Sequence, residues 1–73
     1  METKDLNLEP LGHNVYAYTK IIINEVLNES DSAIKLRFST KEQSGLVTYI
    51  PKSQCRIDNN GNIWITKWLE ERL

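Results

Sequence analysis

Intramolecular disulfides are excluded at the outset, because the chain holds one cysteine, Cys55, in 73 residues. Its single histidine, His13, stands far from Cys55, and no pair of side chains shows zinc-ligand spacing. Glycine and proline are scarce, at three and two residues, so the composition is not that of a disordered linker. The glycines are scattered, and none forms a phosphate-cradling loop. No apolar run approaches the ~20 residues that a membrane helix needs. Met1-Glu2-Thr3-Lys4-Asp5 has neither the basic nor the apolar region of a signal peptide. A tiny domain without disulfides or a visible metal site is expected in a reducing cytoplasm.

Size excludes more. A chain this short buries only about 60% of its unfolded surface. It has little room for both a core and an enclosed site of roughly 300 Å³. Together with the missing motifs, this argues against an enzyme, a cofactor and a metal.

What is present is a folded composition, 40% hydrophobic and 26% charged. The net charge of −1 conceals an uneven spread. Lys35, Arg37, Lys41, Lys52 and Arg56 crowd the middle with one acid, Glu42, among them, while acids dominate both flanks. Two readings follow: a solvated face of mixed charge, or a basic patch for an acidic partner.

Residues 1–12 lack a period and are broken by Pro10 and Gly12, so they read as an N-terminal arm. The run "HNVYAYT", His13 to Thr19, reads as a strand opening or an irregular lead-in. "KIIINEVL", Lys20 to Leu27, is rich in β-branched residues and reads as a strand, although Ile22, Ile23, Val26 and Leu27 also fit a helical stripe. "NESDS" supplies turn chemistry. "AIKLRFS", Ala33 to Ser39, alternates strictly, with Ile34, Leu36 and Phe38 against Lys35, Arg37 and Ser39. "LVTYI", Leu46 to Ile50, follows a polar loop and predicts an antiparallel hairpin.

Pro51 has no N–H to continue a ladder, and its φ suits the first position of a helical turn, so "PKSQ" is predicted to be one helical turn at a corner. "CRI" reads as a short strand, and Asn60-Gly61 in "DNNG" predicts a type I′ hairpin turn. "NIWIT" is the last strand. Thr66 can cap a closing helix in which Leu69 and Leu73 share one stripe. The predicted fold over residues 13–73 is mainly β (α+β): a small curled antiparallel sheet or partly closed barrel of four or five strands, with one helical turn after Pro51 and a short C-terminal helix.

Residues 33–69 carry a resemblance. "AIKLRF", then Tyr49-Ile50-Pro51-Lys52-Ser53, then "GNIWITKWL" with Trp68-Leu69 resemble a small domain of uncharacterised bacterial and phage proteins. That domain has an aromatic residue leading into Ile-Pro-Lys-Ser and a Trp-Leu near its C-terminus. Tyr49 stands where the pattern has Trp, and the basic tail after Trp-Leu is missing. The resemblance implies a phage or mobile-element context and a non-enzymatic role, with no activity to transfer.

The candidate interaction surface comprises Lys35, Arg37, Tyr49, Lys52, Arg56 and Trp64. Lys52-Ser53-Gln54 is a binding knob or a corner in which Ser53 caps the turn and Lys52 is solvated. Cys55 has no neighbouring base in the sequence and is expected to be a buried thiol. Trp64 and Trp68 are expected in the core, the alternative being an exposed platform. Tyr49 and Trp64 on adjacent strands, beside Lys35 and Arg37, would suit base stacking or a protein anchor. The favoured function is a protein-interaction module that binds, and can inhibit, a host protein. A nucleic-acid-binding domain is the alternative. An exposed edge strand offers a route to a homodimer.

Overall fold

The structure is a computed structural model that describes residues 8–13 and 15–73. Residues 1–7 of the arm and Asn14 of the lead-in lie outside the described residues. After a single 3-10 turn at Val15–Ala17 come β1 (Tyr18–Glu29), β2 (Ala33–Ser39) and β3 (Leu46–Pro51). A second 3-10 turn, Lys52–Gln54, leads to β4 (Cys55–Ile57), β5 (Ile63–Thr66) and the helix α1 (Lys67–Glu70). The five strands form one antiparallel sheet in the order β3-β2-β1-β5-β4. Its end strands do not pair with each other, so the sheet is open rather than a closed barrel.

β1 holds the sheet together. Its first residues, Tyr18 to Ile21, pair with β5, and Ile22 to Glu29 pair with β2. The register shifts twice in the second half, once between Ile23 and Glu25 and once between Val26 and Asn28. Each shift inserts one extra residue, Asn24 and Leu27, and such bulges bend a strand. They also explain the helical look of this segment. Ile21, Ile23 and Val26 all face the core side, yet the bulge stretches the second spacing from two residues to three.

The core is one cluster: Ile21, Ile34, Leu36, Phe38, Ile50, Cys55, Ile63 and Ile65. Leu69 and Leu73 pack against it from α1 and the residues after it, as their common stripe predicts. Thr66 caps α1 by accepting the Leu69 N–H at 3.2 Å, and its own hydroxyl donates to Gln54 Oε1 at 2.8 Å. The corner after Pro51 and the closing helix are thereby tied together.

Two turn readings change. Ser53 does not cap the corner, since the 3-10 turn has no side-chain cap and Lys52 is ion-paired instead. The "DNNG" turn is not type I′, which needs positive φ at Asn60, and no non-glycine residue among those described has positive φ. Gly61 alone is left-handed, at φ 84°. The Gly61 N–H meets Asp58 C=O at 3.1 Å, and the Asp58 N–H meets Asn62 C=O at 3.0 Å. This is a three-residue hairpin loop ending in a left-handed glycine. The Asp58 carboxylate favours it by accepting the Asn60 and Asn62 N–H groups, each at 2.9 Å.

Candidate interaction surface

The face of the sheet away from the core carries five of the six candidate residues, in separate groups, and Lys52 lies in the corner turn after β3. Strict alternation in β2 and β3 turns Lys35, Arg37, Val47 and Tyr49 outward while Ile34, Leu36, Phe38 and Ile50 are buried. Lys35 stands opposite Tyr49, and its ammonium lies 5.6 Å from the ring centroid. Asn28 of β1 stands opposite Lys35 and donates to Tyr49 Oη at 3.2 Å. Arg37 stands opposite Val47 and pairs with Glu25 of β1. Tyr49 and Val47 remain 52% and 48% exposed, a substantial apolar area for a surface of this size.

Trp64 and Arg56 lie at the other end of the sheet, directly opposite each other on β5 and β4. Lys20 is the β1 partner of Trp64, and the Arg56 guanidinium lies 5.5 Å from the Tyr18 ring centroid. Here the aromatic is fastened. Trp64 Nε1 donates to Asp58 Oδ2 at 3.0 Å, and Arg56 donates to the carbonyls of Ser53 at 2.9 Å and Cys55 at 2.6 Å. Burial works to raise the Asp58 carboxyl, but the hydrogen bonds from Trp64, Asn62 and Asn60 outweigh it and hold the carboxyl below its ordinary range.

Tyr49 and Trp64 are therefore not on adjacent strands. β2 and β1 lie between β3 and β5, so the expected joint aromatic platform is not assembled. Strand order decides this, and a linear pattern does not encode strand order. Trp68 is a second correction. It is 56% exposed, because Leu69 and Leu73 take the inward side of the closing turn. Arg72 covers its ring at 3.8 Å from the centroid. Trp64 is half-buried on the outer face rather than in the core cluster.

Lys52 is separate from both groups. Its Nζ lies 2.6 Å from Glu29 Oε2, at the far end of β1. With Arg37 held by Glu25, two of the basic residues in the middle of the chain are matched by acids of β1. The basic centre seen along the sequence is thus partly neutralised in space. Cys55 is fully buried, and desolvation pushes its thiol up to about 12 despite the nearby Arg56. A thiol so buried and kept protonated serves the packing of the core.

Sequence reasoning expected an exposed edge but not which strand supplies it. Lys52 N–H bonds Ser32 C=O at 2.8 Å, in register with the β2–β3 ladder. Hydrogen-bonded pairs alternate along an antiparallel ladder, so Leu46, Thr48 and Ile50 bond to β2. The N–H and C=O groups of Val47 and Tyr49 then face away from the sheet. Pro51 falls in the same outward phase, where its missing N–H costs no ladder bond. At the opposite end the corresponding groups of β4 are occupied. Ile57 N–H meets Glu9 C=O at 3.0 Å, Leu11 N–H meets Ile57 C=O at 2.8 Å, and Cys55 N–H bonds Lys52 C=O. The described part of the arm thus lies along β4, with Pro10 and Ile57 forming a parallel bridge.

Comparison with protein families, with curated proteins and with solved structures finds no match to this chain.

Proposed function

We propose that the chain is a non-enzymatic protein-interaction module whose contact surface is the outer face of β2 and β3. The observation that carries this reading is the exposed Val47–Tyr49 pair, flanked by Lys35 over the ring and Arg37 beside Val47. Aromatic and arginine side chains dominate the binding energy of protein interfaces. Tyr49 is also pre-oriented by Asn28 and Lys35, which lowers the ordering cost on binding. The buried, unreactive Cys55 agrees with a role without covalent chemistry. The resemblance to small phage-type domains supports a cytoplasmic host protein as the partner, bound and inhibited by occlusion.

A nucleic-acid reading has its own observation: Tyr18, Lys20, Arg56 and Trp64 share the outer face of the β4–β5 end. Stacking rings among cations suit single strands. The ion pairs of Arg37 and Lys52 and the net charge of −1 weigh against it.

Capture from a bacterial lysate separates the two. The protein reading expects a stoichiometric partner that survives nuclease, is lost with Tyr49→Ala, and is retained by Lys20→Ala with Arg56→Ala. Capture that vanishes with nuclease, falls steeply with salt and ignores Tyr49→Ala overturns it.

A further inference from the structure

Among the described residues the sheet has four stretches of unpaired strand edge, and they are treated differently; one, Tyr18 to Ile21 of β1 on its β2 side, spans only four residues and carries Lys20. The β4 edge is covered by Glu9 to Leu11. The second half of β1 has no strand on its β5 side, but it is kinked by two bulges and carries Glu25 and Glu29. Bulges, charges and covering segments are the usual ways in which an edge is blunted against pairing. Among the described residues, the β3 edge has none of these along its length. Its pairing with β2 runs without a register shift, "LVTYI" holds no charge, and only Pro51 marks its end.

We propose that a second copy of this chain adds to the free edge of β3, the two β3 strands pairing antiparallel about a two-fold axis through Thr48. The strand is its own complement in that register. Val47 stands opposite the partner's Tyr49 on the outer face, and Tyr49 opposite the partner's Val47, which are the residues whose backbone groups point out. Leu46 meets the partner's Ile50 on the core side, and Thr48 meets its own equivalent. Aromatic–β-branched and Thr–Thr pairs are favourable cross-strand neighbours. No charge on either strand opposes the approach, and Arg37 behind Val47 is already paired with Glu25. The next hydrogen-bonded pair would use the absent N–H of Pro51, so the ladder stops there and the register is set. Because each copy uses the same β3 edge in this self-complementary register, the addition closes at two copies, as an isologous interface does. The pairing also joins the two outer faces of β2 and β3 into one surface, although it does not depend on what that surface binds.

Sedimentation equilibrium of the full chain, from micromolar to about 1 mM, tests this. The expected result is a concentration-dependent rise toward twice the 8.5 kDa of one chain. Val47→Lys, at an exposed position, places a charge on each strand beside the joint and is expected to remain monomeric while melting as a folded protein. A second pair of variants reads the register. Thr48→Cys places two thiols across a non-hydrogen-bonded pair, where a disulfide fits, whereas Val47→Cys places them on a diagonal of about 7–8 Å, where it does not. Under mild oxidation Thr48→Cys is expected to cross-link at least about tenfold faster than Val47→Cys. Buried Cys55 contributes nothing to the cross-linking. A wild-type chain that stays at 8.5 kDa throughout overturns the proposal, whether the edge is idle or takes a foreign strand. So does a dimer that Val47→Lys leaves intact, or equal cross-linking by the two cysteine variants.

Discussion

The two ends of the sheet use the same ingredients for different ends. Each places an aromatic ring on the outer face with a cation close by: Tyr49 with Lys35 on β3 and β2, Trp64 with Arg56 on β5 and β4. At the β4 end every interaction turns inward. Asp58 holds the Trp64 indole and the hairpin loop, Arg56 holds two backbone carbonyls, and the arm occupies the strand edge. At the β3 end the ring is held lightly by Asn28, Val47 lies open beside it, and the outward backbone groups have no strand among the described residues to pair with. An aromatic beside an arginine is therefore not a binding site by composition. The polar atoms around it decide whether it is spent on the fold or left for a partner.

The core serves both ends and gives the largest expected effect. Phe38→Ala, at a fully buried side chain, should cost about 3–5 kcal/mol and unfold so small a domain, abolishing any distinction between the ends. Thermal unfolding followed by circular dichroism checks this. Asp58→Ala comes next. It leaves the Trp64 indole and two hairpin amides without their acceptor and should cost about 1–2 kcal/mol by chemical denaturation.

The pH response sharpens the same contrast. The Asp58 carboxyl titrates below its unfolded value, so its stabilising share is complete above the ordinary carboxylate range. That share is lost as the pH falls through the lowered value. The melting temperature of the wild type should therefore drop more between about pH 5 and about pH 2 than that of Asp58→Asn. Tyr49→Phe, the counterpart at the other end, removes one exposed hydrogen bond and should change stability by less than about 0.5 kcal/mol. A Tyr49→Phe cost as large as that of Asp58→Ala would erase the difference between the ends.

Much of this architecture was legible along the chain. "AIKLRFS" and "LVTYI" alternate cleanly because each has one buried and one open face, and both strands formed with those residues inward. Pro51 and Thr66 announced the corner and the helix cap, since both act through local backbone chemistry. Most of the misses were non-local. Trp64 and Tyr49 each read as sheet aromatics, but only the return of β5 to pair with β1 puts two strands between them. Glu25 and Glu29 read as part of an acidic flank, yet the β1–β2 pairing and the corner deliver them to Arg37 and Lys52. Asn60-Gly61 signalled a turn of the right place and the wrong type, because the Asp58 carboxylate favours a longer loop.

Native-state amide hydrogen exchange in dilute solution tests the difference between the ends most directly. Ile57 and Leu11 N–H groups, bonded across the β4 edge, should be protected, while those of Val47 and Tyr49 should exchange quickly and become protected only as concentration rises. Val47 and Tyr49 amides as slow as that of Ile57 at the lowest concentration would contradict the account, because the β3 edge would then be closed within a single chain.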